Sequence, residues 1–130
     1  MTDSQAVKRG TARPVFLDFA RIRFPVGAIA SIAHRVSGVV LVAALPFAVF
    51  LLGRSLEGEE AFSAVLGSAR SIPGRVVLLV VAWACAQHLF SGIRHLLMDV
   101  GIGSSLNAGR ASAYAVLVAA ALVSVGVLVL

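Results

Sequence analysis

His88 opens the pattern His88-x-x-x-Gly92-Ile93-Arg94-His95-x-x-x-Asp99, inside an apolar run long enough to cross a bilayer. An ionisable side chain at membrane depth is costly and marks a functional site by default. Positions 88, 92, 95 and 99 are four, three and four apart, so a helix stacks them on one face. That face carries an imidazole, a glycine, a second imidazole and, nearer the helix end, a carboxylate. Imidazole is a good iron ligand, and a glycine one turn away leaves room for a flat macrocycle. The residues predict a haem-bearing membrane helix. His88 keeps a second reading, as a neutral histidine donating to a carbonyl on a neighbouring helix.

The elements that must position this face are transmembrane helices. The chain is 59% hydrophobic and 13% charged, with a mean hydropathy of +0.97; charged residues make up roughly a quarter of an ordinary soluble domain. Three apolar spans are predicted, at about 26–52, 76–97 and 111–130, each near the ~20 residues that cross a bilayer. The fold class is therefore an all-α membrane protein of three transmembrane helices over residues 25–130. A basic segment, 1–24, precedes them and lacks the apolar core of a signal peptide. Pro25 is well placed to be the first residue of the first helix, and Pro46 is expected to bend it. Residues 53–74 and 99–110 connect the spans.

At 130 residues the chain is too short to add a flavin or nucleotide domain, and it has no glycine-rich phosphate loop. Its single cysteine, Cys85, excludes an internal disulfide and a cysteine-held iron–sulfur cluster, and reads as packing. The net charge of +5 does not point to nucleic acid, because the cations sit at membrane ends without interleaved aromatics. With the N-terminus cytoplasmic, eight Lys and Arg lie inside (Lys8, Arg9, Arg13, Arg21, Arg23, Arg35, Arg94, Arg110). Three lie outside (Arg54, Arg70, Arg75). The positive-inside rule then gives a cytoplasmic N-terminus and a periplasmic C-terminus. His34, Arg35, Arg94, His95 and Asp99 gather at the cytoplasmic end, with His88 roughly 10 Å deeper than His95 at 1.5 Å per residue.

Two stretches resemble the cytochrome b membrane-anchor subunit, the C subunit, of succinate dehydrogenase (respiratory complex II). One runs Arg13-Pro14-Val15, Arg21-Ile22-Arg23-Phe24-Pro25, then Ser31-Ile32-Ala33-His34-Arg35-Val36-Ser37-Gly38. The other is His88-x-x-x-Gly92-Ile93-Arg94-His95-Leu96-x-Met98-Asp99-x-Gly101. With three spans at suitable spacing, the likeness covers nearly the whole chain. Phe19 and Gln87 depart from it, where the family has an aliphatic residue and often a tyrosine. The resemblance implies a heterotetramer in a bacterial inner membrane. A flavoprotein subunit oxidises succinate, an iron–sulfur subunit carries the electrons, and two membrane subunits share haem b and reduce ubiquinone.

Under that resemblance His88 is the axial ligand of the haem iron, while His34, Arg35 and His95 lie on the propionate side. Ser31 and Arg35, four apart on one helix face, supply donors to a quinone. With His34 placed near the cytoplasmic end and no histidine in the third span, the second axial ligand falls to the other membrane subunit. Each residue has a plainer reading: His95 solvated, Arg94 and Arg110 as positive-inside anchors, Asp99 capping or pairing with an arginine. Ser31 can bond back to its own helix and Arg35 can snorkel. Three further functions compete. A haem-free scaffold would have no use for His88. A proton relay through His88, His95 and Asp99 needs polar residues throughout the depth, and Val76–Ala86 has none. The anchor of a fumarate reductase would carry the same residues.

Overall fold

A computed structural model describes residues 23–129 and contains four helices: α1 (Val26–Ser55), α2 (Glu59–Arg70), α3 (Ile72–Asp99) and α4 (Leu106–Val129). In hydrocarbon every backbone N–H and C=O must be satisfied within its own segment, so apolar runs of this length become helices. At 1.5 Å per residue, the 30, 28 and 24 residues of α1, α3 and α4 extend about 45, 42 and 36 Å. All three are long and apolar enough to cross a membrane. They run beyond the predicted apolar cores because the turns at their ends tolerate polar residues at the interface.

Pro25 is not the first helical residue. It is the N-cap, with an extended ψ of 151°, and its carbonyl accepts from the amides of Ala28 and Ile29. Helix α1 passes through Pro46 without a break. The connecting segment contains α2, whose Phe62, Val65, Leu66 and Ala69 recur at helical spacing. Glu59 and Glu60 in its first turn and Arg70 in its last match the helix dipole. Ser71 ends α2 and begins α3, its hydroxyl accepting from the amide of Gly74. At the other end of α3 the chain reverses at Gly101, with φ +83°. There Ile102 N–H donates to Leu97 O and Gly101 N–H to Met98 O, which satisfies carbonyls left over at the helix end.

Helix α3 is central and packs on both α1 and α4. The core consists of small residues: Ala84, Ala113 and Ala120 are fully buried, beside Ser37, Gln87, Ser91 and Ser124. Small side chains let apolar helices approach closely, which is how packing is gained where lipid is as apolar as leucine. The large residues point outward, among them Val39, Val42, Phe47, Phe50, Leu89 and Leu122. Helix α1 buries only Ala30 and Ser37. Arg13, Arg21 and the rest of residues 1–22 lie outside the described residues.

Candidate functional site in the membrane

The site forms where the first half of α1 crosses the second half of α3. His88, half-buried on α3, turns its ring against α1. Its Nδ1 lies 3.2 Å from the carbonyl of His34 and 3.3 Å from Ser37 Oγ. A carbonyl only accepts, so Nδ1 carries the proton and donates. The Ser37 hydroxyl gives its own proton to the same carbonyl, at 2.7 Å. With the tautomer fixed in this way, Nε2 keeps its lone pair and has no hydrogen-bond partner among the described residues. Metal-bound histidines are held in this manner, the second ring nitrogen donating to a backbone carbonyl. The donation to a neighbouring carbonyl and the role of ligand are therefore compatible.

Gly38 makes this packing possible. A Cβ at that position would stand 3.1 Å from His88 Cε1 and 3.4 Å from Nδ1. The space beside Gly92 holds the His34 imidazole, with Nε2 at 3.9 Å from a Cβ built there. His34 also lies deeper than its sequence position implied. Its ring centroid is 4.3 Å from that of His88 and 5.1 Å from that of His95, so it sits between them. The reason is that α1 and α3 cross at this level, and Ser91 and Gly92 offer little bulk to keep the ring out. His95 donates from Nδ1 to the carbonyl of Ser91 at 2.6 Å. The His34 ring is tilted by 34° against His88 and stacked at 23° on His95, and no group of three His, Cys, Asp or Glu able to hold an ion occurs among the described residues.

Beside His88 an open cavity of about 760 Å³ runs along α1, within the size range of cofactor sites. It is lined by His34, Arg35, Gly38, Val39, Val42 and His88, among others. An apolar wall, one imidazole with a free lone pair and one guanidinium at the rim suit a planar macrocycle with acidic side groups. Arg35 is exposed at that rim. Ser31, half-buried one turn earlier, lies outside the lining. Ser37, Ser55, Ser68, Ser112 and Ser124 each donate to a carbonyl three or four residues before them; Ser31 does not join them.

The remaining residues fall elsewhere. Arg94 reaches α4, donating from Nε to Ser112 Oγ (3.0 Å) and from Nη2 to Gly109 O (3.1 Å). Asp99 is exposed and pairs with no arginine among the described residues, where the ion pair is Arg54–Glu57. Cys85 is exposed on the outer surface of α3, not packed inside. Gln87 is fully buried next to His88, donates to Ser91 Oγ at 2.9 Å, and leaves its carbonyl oxygen without a partner among the described residues. Ser37 and Gly38 carried no assigned role in the sequence reading. The available signal was their spacing, three and four residues after His34 and so on its face.

The fold and this cluster define a multi-pass helical membrane protein with an intramembrane histidine site. The chain belongs to the family of succinate dehydrogenase/fumarate reductase transmembrane subunits, whose pattern it matches over residues 9–128. It is 44% identical over 108 residues to the succinate dehydrogenase cytochrome b556 subunit of Coxiella burnetii, covering 82% of this chain and 86% of the relative. The cytochrome b556 subunit of Paracoccus denitrificans is 31% identical, with 92% and 91% covered. The succinate dehydrogenase hydrophobic membrane anchor subunit of Halobacterium salinarum is 35% identical, with 82% of each chain covered.

Proposed function

We propose that this chain is the haem b-bearing membrane anchor of a succinate:quinone oxidoreductase in a bacterial inner membrane, with its N-terminus on the cytoplasmic side. The observation that carries the reading is the His88 ring. Its Nδ1–H is committed to the His34 carbonyl, and its other nitrogen is left unpaired beside an open apolar cavity. His88 would hold the haem iron through Nε2, and His34, Arg35 and His95 would lie on the propionate side. Haem b, when bound, supplies a one-electron redox centre. A further ligand to the iron would come from the other membrane subunit, which would cover the exposed face of α1.

Ser31 and Arg35 form the quinone site at the cytoplasmic end. The serine hydroxyl donates to a quinone carbonyl, and the permanently charged guanidinium stabilises the negative charge that builds during reduction. The exposed Phe24, Ile29 and Ile32 offer an apolar surface to the ring and tail of ubiquinone. A site near water also receives protons readily. The basic segment 1–24 docks the iron–sulfur subunit, and through it the flavoprotein that oxidises succinate. This chain contributes no succinate-oxidising residues.

Purification of the complex through this chain, followed by an absorption spectrum, tests the reading. Co-purification of a flavoprotein and an iron–sulfur protein with a low-spin haem b spectrum is the expected result. The same subunits without haem would leave a haem-free scaffold. Absence of the soluble subunits would overturn the proposal.

A further inference from the structure

The face of α3 opposite His88 forms a second concavity that the site above does not use. Phe90, Ile93, Arg94 and Leu97 are on average about 180° around the helix from His88, Gly92 and His95, at 100° per residue. With Ala115 and Ala119 of α4 they line an apolar groove of about 460 Å³. The groove exists because α4 presents alanines where α3 presents large side chains. From Ser112 to Ala119 it runs about 10 Å along α4, from the interface into the hydrocarbon depth.

Arg94 closes the interfacial end. It is half-buried, lines the groove, and is held by Ser112 Oγ and the Gly109 carbonyl. Both partners are neutral, so they fix the guanidinium without neutralising it. A guanidinium has five N–H donors, of which these bonds use two. No carboxylate pairs with Arg94 among the described residues, and Asp99, on the same helix, is exposed and turned to another face. Arg110, next to Gly109, adds a second positive charge at this end. A half-buried, preorganised cation above an apolar groove calls for a ligand with an anionic head and a hydrocarbon tail.

We propose that the α3–α4 groove binds one anionic phospholipid from the leaflet that holds the N-terminus. Its phosphate meets Arg94, and one acyl chain lies along Phe90, Ile93, Ala115 and Ala119. A quinone tail would fill the groove and leave the charge unanswered. A partner helix would need a carboxylate at the level of Arg94.

The test uses the intact complex purified through this chain, stripped of lipid in detergent and exposed to phosphatidylcholine vesicles doped with phosphatidylglycerol. Native mass spectrometry then counts the lipid retained. The wild-type complex should keep one phosphatidylglycerol per copy of this chain in preference to phosphatidylcholine. Arg94→Gln should weaken that retention about tenfold or more, the cost of losing hydrogen bonds to a charged group. Since Arg94 also ties α3 to α4, Ala115→Phe provides the second variant: it fills the groove with the arginine intact and should abolish retention. Equal retention in both variants, no preference for phosphatidylglycerol, or cross-linking of a protein partner into the groove would each overturn the proposal.

Discussion

Replacing Gly38 with alanine sets two physical effects against each other, and the packing at His88 decides between them. In the middle of a helix, Gly→Ala alone gains roughly 0.5–1 kcal/mol from backbone entropy. Here the new Cβ would stand 3.1 Å from His88 Cε1, closer than ordinary carbon contacts, so the imidazole must retreat by a few tenths of an ångström. The Nδ1 bonds to His34 O and Ser37 Oγ start at 3.2 and 3.3 Å, and that retreat takes them out of hydrogen-bonding range. Losing such an orienting partner typically costs about 10- to 100-fold in metal affinity. The Gly38→Ala complex should therefore assemble normally, or melt slightly higher, yet release haem at least about tenfold more readily. Haem retention is read as the Soret absorbance that survives graded detergent washing, against the wild type. Normal retention with an unchanged low-spin spectrum would refute the argument, since the His34 carbonyl would then have no part in holding the ligand. Gly38→Leu should be more severe in the same assay.

Three further outcomes follow from the same geometry. Ser37→Ala leaves the His34 carbonyl in place and removes the weaker partner, so haem retention should fall by less than in Gly38→Ala, again by detergent washing. Ser31→Ala and Arg35→Leu should each depress succinate–quinone turnover on the order of 100-fold, the usual cost of losing a donor to developing charge. Succinate oxidation with a soluble dye should persist in both; loss of both activities would indicate failed assembly, and retention of both would remove these residues from the quinone site. Deleting residues 1–20 should move succinate oxidation from the membrane to the soluble fraction on centrifugation, and activity that stays membrane-bound would exclude the docking role.

The three spans were readable because a bilayer leaves few choices: an uncharged run of about 20 residues has nowhere to satisfy its backbone except a helix. The ends were harder to place. Ile72–Arg75 and Leu106–Arg110 are helical although they hold polar and small residues, because capping at Ser71 and the reversal at Gly101 set where the chain turns. Helix α2 was present in the spacing of Phe62, Val65, Leu66 and Ala69, but it is short and charged, and carries no membrane signal. Within the site, one-helix periodicity correctly put His88, Gly92 and His95 on a shared face. It could not supply the crossing of α1 over α3. That crossing decides that His34 lies between the other two imidazoles, that Gly38 makes room for His88, and that Ser37 shares the proton network.

His88 as an iron ligand is the centre of the account, and a low-temperature electron paramagnetic resonance spectrum of the purified complex, wild type beside His88→Leu, tests it most directly. The account predicts a low-spin haem b signal in the wild type that is lost, or converted to high spin, in His88→Leu, with the iron–sulfur signals of the complex intact. It also predicts no stable low-spin haem in this chain expressed alone, since the His34 ring, with its centroid 4.3 Å from that of His88, packs too close to bind the opposite side of the same iron. An unaltered low-spin signal in His88→Leu, or a normal one from the isolated monomeric chain, would contradict it.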